Sequence, residues 1–374
     1  MEFFVTAVDF ELVREGDDLI ARAGGAEVRG GPELLLTLER FSTATPRGDA
    51  APGFFEPLRA AGLLLPVEQV ARDGGFVGFD APTAHTEMLN DAARTTGFVE
   101  AIRRVVRPDD VVVDLGTGTG VLAVAAARAG ARRVYAIEAG DVASLAQQMA
   151  EFNGVSDRVE VIRGWSTAVA LPELATVLVS ETIGDEPLGE RVLESLLDAR
   201  RRLMTPDARL IPRVLRLWGD IIQVPDDELE KWTFTAQNTR RWSQSLGLNL
   251  SPLTELALAE PHALKLPACL ANRWQRLAPS CLLATIPLDK YEALSLDTAC
   301  SCAIAQAGVL NGLAVWAELE LAPGITVTTG RPDPGNSWRL YVHRVPERHL
   351  SAGQQVVVRY RYGHDTPRVE VRDA

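Results

Sequence analysis

The run VVVDLGTGTGVLAVAAARAG (Val111–Gly130) constrains the fold of this chain more than any other segment. Three valines and a leucine around Asp114 read as a strand buried on both faces. The loop Gly116-Thr117-Gly118-Thr119-Gly120 then turns the chain into an alanine-rich helix. Glycine permits the backbone angles such a turn demands and lets a ligand approach the main chain closely. Strand and helix character goes on alternating through RRVYAIEAG, VASLAQQMAEFNG, RVEVIRG, TVLVSE and GERVLESLLDARRRLM. That alternation predicts a doubly wound α/β sheet over residues 71–215. Glu138 ends the second strand, twenty residues after Gly118. A carboxylate there can accept both hydroxyls of an adenosine ribose. Dinucleotide folds want G-x-G-x-x-G, whereas this loop is D-x-G-x-G-x-G, and Asp114 ahead of it suits a cationic ligand better than a pyrophosphate. Nicotinamide binding and a purely structural loop stand as the alternatives at this point.

On either side of this region the text changes. Residues 1–70 carry FFVTAVDFELV and LIARAG around REGDD, which predicts a hairpin. PELLLTLERF (Pro32–Phe41) then reads as a helix, and FFEPLRAAGLLLP (Phe54–Pro66) as a second helix ending at Gly62. After residue 215 strand-rich runs dominate (VLRLWGDIIQV, GLAVWAELEL, RLYVHRV, QQVVVRYRYG), predicting a sandwich or barrel. One helical interruption falls at NTRRWSQSLGLNL (Asn238–Leu250).

A formal net charge of −12 over 374 residues argues against a general nucleic-acid binder, because phosphate contacts need clustered Lys and Arg. The four cysteines, Cys269, Cys281, Cys300 and Cys302, read as reduced structural residues. Cys300 and Cys302 form a C-x-C pair with no further ligand at metal spacing, so no metal site is expected. The start of the chain lacks a signal-peptide pattern and no run approaches 18 apolar residues, so no membrane partner and a cytoplasmic location are expected.

The loop with Glu138 resembles the first motif of class I S-adenosylmethionine methyltransferases. HTEMLNDAART (His85–Thr95), SETIGDEPLGE (Ser180–Glu190), ARLIPR, RRWSQSLGLNLSPLTELALAEP and NSWRLYVH follow in family order. Together they resemble the protein arginine methyltransferases over roughly residues 72–374. The resemblance implies a Rossmann-like S-adenosyl-L-methionine-binding domain at 71–213 and a β-barrel substrate domain at 214–374. It also implies a helical dimerisation arm at about 236–262 and a head-to-tail homodimer. At the cofactor it implies Arg94 on the carboxylate, Met88 beside the sulfonium, and Asp114, Gly116, Gly118 and Gly120 around the methionine part. Glu138 takes the ribose, and Trp165, Ser166 and Thr167 also lie at the cofactor. The catalytic pair is Glu181 and Glu190, nine positions apart. Guanidinium offers planar forks of N–H donors that carboxylates accept in pairs. Two carboxylates also offset the repulsion between that cation and a sulfonium. Asp185 and Glu186 read as solvated turn charges, and His343 has no identified partner.

The sequence departs from the family at three places. Phe79 of the substrate pocket stands where the family has a tyrosine, Thr167 where it has an adenine-facing glutamate, and Ser337, beside Trp338, where it has a histidine. Residues 1–70 resemble the small winged-helix-like α+β modules that bind leader peptides. The expected function is S-adenosylmethionine-dependent N-methylation of a side chain, arginine first, in a peptide or protein, including ribosomally made natural-product precursors. The alternatives are a different acceptor (side-chain amide, carboxylate or small amine) and a non-catalytic peptide-binding scaffold.

Overall fold

The computed structural model describes residues 3–6, 11–15, 18–23, 26–41, 45–46, 53–61, 63–66, 82–253, 263–363 and 367–374. The chain divides into two compact units. One holds Met1–Leu89, Phe98–Thr182 and Ser195–Ile211; the other holds Asn90–Gly97, Ile183–Glu194 and Pro212–Ala374. Among the described residues no helix is long and apolar enough to cross a membrane.

The first unit begins with two small antiparallel sheets. β1 (Phe3–Thr6) lies between β5 (Thr45–Pro46) and β6 (Leu64–Pro66), while β2 (Glu11–Glu15), β3 (Asp18–Ala23) and β4 (Ala26–Gly30) form a meander. Helices α1 (Pro32–Arg40) and α2 (Phe55–Ala60) contribute Leu34, Leu38, Phe55 and Leu58 to an apolar cluster with Ala21, Val28, Phe41, Leu63 and Leu64. Within the run FFVTAVDFELV, Phe3–Thr6 pairs with β5 and β6, and from Glu11 the chain pairs in the expected hairpin, Glu15 opposite Asp18.

Next come α3 (Pro82–Asn90), α4 (Ala92–Val105), and five parallel strands: β7 (Val111–Leu115), β8 (Arg133–Glu138), β9 (Val159–Arg163), β10 (Ala175–Ser180) and β11 (Met204–Ile211). Their order is β11-β10-β7-β8-β9. All five residues of β7 are buried, as a strand covered on both faces must be. Helices α5 (Val121–Arg128), α6 (Ala143–Phe152) and α7 (Val192–Arg202) make the crossovers. Both β8 and β10 flank β7, so the order reverses there. Doubly wound sheets bind ligands beyond the carboxyl ends of the strands at such a switch point.

The second unit is antiparallel. β12 (Val214–Gln223), β13 (Ala263–Pro267), β14 (Gln275–Arg276), β15 (Cys281–Pro287), β17 (Gly308–Ala322), β18 (Ile325–Thr328) and β19 (Arg339–Leu350) form one sheet. β16 (Leu296–Ala303), β20 (Gln355–Tyr362) and β21 (Arg368–Asp373) form a second. Leu215, Leu217 and Ile221 of β12 point inward at period two, while Arg216 reaches across to Glu318 Oε1 (3.0 Å) and Glu320 Oε2 (2.8 Å) on β17. Helices α8 (Asp226–Trp232), α9 (Ala236–Leu246) and α10 (Ala268–Ala271) belong here. The helix expected at Asn238–Leu250 is thus α9, capped by Thr235 and stopped at Gly247, whose φ of 67° is the left-handed C-cap conformation. Residues 254–262 of the expected arm lie outside the described residues.

Candidate functional site

In the first unit the glycine loop leaves β7 at its carboxyl end, the side where the switch point opens. Gly118 (φ 53°) and Gly120 (φ 81°) take left-handed backbone, and a Cβ on Gly120 would meet Ala146 Cα at 3.0 Å. Small residues on α6 (Ala143, Ala146, Ala150) face inward and permit that approach. Glu138, at the end of β8, accepts the Gly118 N–H at 2.8 Å with one oxygen and the Gly140 N–H at 2.9 Å with the other. Each carboxylate oxygen keeps a second lone pair for a ligand hydroxyl. Gly116 N–H and Thr117 N–H both donate to Ile137 O (2.9 and 3.0 Å), tying the loop to β8.

Asp114 is almost fully buried and accepts the Thr117 hydroxyl at 2.6 Å. Burial pushes its carboxyl up to about 7. The Glu138 charge adds to the rise, and hydrogen bonds from Thr117 and Ala123 oppose it. Two buried polar atoms, His85 Nε2 beside this loop and Thr167 Oγ1 in the turn after β9, meet no hydrogen-bond partner among the described residues. The His85 ring lies 3.1 Å from where a Gly118 Cβ would stand. The turn carrying Trp165, Ser166 and Thr167 is held by Arg202, which donates to Ser166 O and Val169 O, each at 2.7 Å. Met88 is half-buried on α3, and Glu181 follows the end of β10. Phe76 and Phe79 lie outside the described residues.

In the second unit, Asp91 is an organising centre that the sequence reading passed over. It is 1% exposed and caps α4 by accepting the Arg94 N–H at 3.1 Å. Arg331 donates to its Oδ1 at 2.5 Å, and Ser337 donates to Oδ2 through its backbone N–H (3.0 Å) and its hydroxyl (3.2 Å). Burial alone would raise this carboxyl. The bonds from Ser337, Arg94 and Arg331 outweigh burial and hold it below its ordinary value. Ser337, at the family's histidine position, is therefore a ligand of Asp91. A signal was available, since Asp in LNDAART is an N-cap residue ahead of a helix.

Arg94 stands in the first turn of α4, buried, with its guanidinium 5.3 Å from the Trp338 ring centre. A cation at that end opposes the helix dipole, and a buried violation of a local rule marks a functional position. Burial lowers Arg94 to about 10; Asp91 draws it back up and Arg331 lowers it further. It stays a cation at neutral pH, able to hold a carboxylate.

Residues 183–194 also belong to the second unit, and here the expectation for Asp185 and Glu186 fails. Asp185 accepts Lys265 Nζ at 2.6 Å and the Arg339 N–H at 2.7 Å. Glu186 is buried, accepts the Tyr360 hydroxyl at 2.5 Å, and faces His343 Nε2 at 3.5 Å. These are anchors, not solvated charges; His343 Nε2 makes no hydrogen bond among the described residues. Trp338 Nε1 donates to Ile183 O at 2.7 Å and pins the same segment to β19. Glu190 and Arg191 follow at φ 58° and 56°, two successive side-chain-bearing residues in left-handed backbone. Such strain persists only where the surroundings enforce it, and it gathers at functional sites. Glu190 is exposed as a residue, yet its Oε1 sits 2.7 Å from where a Gly184 Cβ would stand. Crowding by surrounding atoms, with the Asp185 charge second, pushes its carboxyl up to about 7; Lys265 pulls the other way.

The sequence model of the ribosomal protein L11 methyltransferase family (PrmA) matches residues 92–211. Protein arginine N-methyltransferase PRMT10 of Oryza sativa subsp. japonica is 35% identical over 205 residues, 52% of this chain and 52% of that protein, so the chain spans about half the length of that curated relative. The arginine N(omega)-methyltransferase of Streptomyces achromogenes subsp. streptozoticus is 29% identical over 360 residues, 93% of each chain. Among solved structures, the Trypanosoma brucei PRMT1 enzyme-prozyme heterotetrameric complex with AdoHcy shares the fold at a TM-score of 0.69, with 23% identity over 79% of this chain and 95% of that one.

Proposed function

We propose that this chain is an S-adenosylmethionine-dependent N-methyltransferase whose acceptor is an arginine guanidinium in a peptide or protein. The observation that carries the reading is Glu190: strained backbone, an anchored segment beneath it, and a carboxyl raised to about 7. The names of the relatives support it, as does the D-x-G-x-G-x-G loop closed by Glu138. S-adenosylmethionine supplies an electrophilic methyl on a sulfonium. Arg94 would hold its carboxylate, Glu138 its ribose, and the Gly116–Gly120 backbone and Met88 its methionine end. The His85 Nε2, beside Gly118 and without a hydrogen-bond partner among the described residues, fits a polar ligand at this loop. Guanidinium stays protonated near neutrality, so its proton must leave during or after transfer. A carboxyl near 7 is suited to pair with the cation and to receive that proton; Glu181, nine residues earlier, is the second acceptor of the clamp. The test is incubation with cofactor and an arginine peptide, read by mass spectrometry. One methylene of added mass on arginine is expected; no product, with cofactor binding intact, overturns the acceptor.

Free arginine is a second reading, favoured by the relative that aligns over 93% of both chains and is named for arginine itself. Assaying L-arginine beside the peptide separates the two. Peptide capture has its own support, because the β2-β3-β4 meander leaves β2 and β4 as edge strands that an extended leader peptide could extend.

Two further results are expected. Gly120→Val forces a β-branched residue to φ 81° against Ala146, so affinity for S-adenosylmethionine should fall at least roughly tenfold by calorimetry. Leu246 and Leu248, 62% and 58% exposed at the end of α9, form the contact surface of a homodimer. Leu246→Glu with Leu248→Glu should shift light-scattering mass from dimer to monomer at micromolar concentration.

A further inference from the structure

Away from every residue used above, three thiols meet in the second unit. Cys281 opens β15 and pairs opposite Gly219 of β12, in the larger sheet. Cys300 and Cys302 lie on β16, opposite Val358 and Val356 of β20, in the smaller sheet. Residues two apart on a strand share a face, so both β16 thiols point the same way. The strands β15 and β16 pack together, and the Thr298 hydroxyl donates to Leu283 O at 2.6 Å between them. The three Sγ atoms consequently lie within 4.8 Å of one another, with Cys300 and Cys302 at 3.6 Å. All are free thiols. Gly219 has no side chain to fill the space beside Cys281 Sγ, and its carbonyl accepts the Cys281 thiol at 3.3 Å.

We propose that Cys281, Cys300 and Cys302 form a three-thiolate site for Zn²⁺ that clips the two sheets of this unit together. An ion with metal–sulfur bonds of about 2.3 Å holds its sulfurs about 3.8–4.0 Å apart, so the cluster needs only small side-chain movements to close. Soft thiolates select Zn²⁺ over hard cations. On binding, three S–H bonds break, their protons pass to solvent, and three Zn–S bonds form without any redox change. Cys281 and Cys302 are buried, while Cys300 is half-buried, leaving that side for entry of the ion and for a water as fourth ligand. The pairing was invisible in the sequence, because the third ligand lies nineteen residues before the C-x-C pair and belongs to a different sheet.

The test uses the full chain, purified with a phosphine reductant, loaded with Zn²⁺ and passed through gel filtration with a weak chelator. One zinc per chain should be retained. Cys300→Ser, chosen because this side chain is half-buried, should weaken retention at least a hundredfold and abolish the zinc-dependent rise in melting temperature. Cys269→Ser should change neither. Co²⁺ added to the unmutated protein should give thiolate-to-cobalt absorption of three-sulfur intensity, a readout independent of any variant's folding. Equal zinc retention by the unmutated protein and Cys300→Ser, absence of the cobalt band, or a disulfide among the three thiols in the reduced preparation would each overturn the proposal.

Discussion

Glu190→Gln should lower kcat/KM for arginine methylation by roughly 100- to 10,000-fold, the range typical of a lost acid–base group, while S-adenosylmethionine affinity stays within about twofold. Glutamine keeps the volume and loses both the charge that pairs with guanidinium and the capacity to accept its proton. The pH profile carries a second signature. The Glu190 carboxyl is held up to about 7, so below that pH it is protonated and activity should fall; above it, activity should level off. Asp114 titrates in the same range, so the assignment rests on the variant: a profile whose inflection near 7 vanishes in Glu190→Gln belongs to Glu190. The stability effect has the opposite sense. A carboxyl raised in the folded state binds protons more tightly than the unfolded chain does, so it opposes folding as pH rises from its unfolded value, 4.5, toward 7. Removing it should leave the protein at least as stable at pH 8. An active Glu190→Gln enzyme would remove this residue from the chemistry.

Asp91→Ala should destabilise the second unit by about 3–5 kcal/mol, the scale for breaking a buried ion pair from one side. The loss strips these acceptors from the Ser337 N–H and hydroxyl and from the Arg94 N–H, and leaves Arg331 its ion pair with Asp333 at 2.9 Å. Asp91→Asn keeps an acceptor and should lose about 1.5–3 kcal/mol, as for hydrogen bonds to a charged group. Urea denaturation followed by tryptophan fluorescence reads this, since Trp218, Trp316 and Trp338 all lie in this unit. The pH dependence has a definite sign. The folded carboxyl sits below its ordinary value of 3.8, so its contribution is complete above that pH and lost as pH falls through the lower folded value. If Asp91→Ala costs less than about 1 kcal/mol, a typical single substitution, the network is not what holds Ser337 and Arg94.

How far the sequence could be read depended on the range of the interactions. The glycine loop, its strands and Glu138 were legible because each is set by neighbours within about twenty residues. The hairpin at REGDD was legible too, because its two strands are close neighbours in the chain. SETIGDEPLGE was read only in part. Nothing local distinguishes Asp185 and Glu186 from ordinary turn charges; their partners Lys265, Arg339 and Tyr360 arrive from much later strands. The role of Ser337 was not legible either, since its acceptor, Asp91, lies 246 residues earlier.

By itself, then, the sequence determined the parallel sheet, its switch point and the loop that closes on Glu138, because hydrophobic period and glycine geometry act within a few turns of chain. The tertiary structure alone decided which acidic residues are anchors and that Glu190 sits on strained backbone. It alone also decided that Cys281 joins Cys300 and Cys302. Those outcomes follow from burial and from contacts between distant strands, where a side chain's charge state and partner are set by whatever the fold brings beside it.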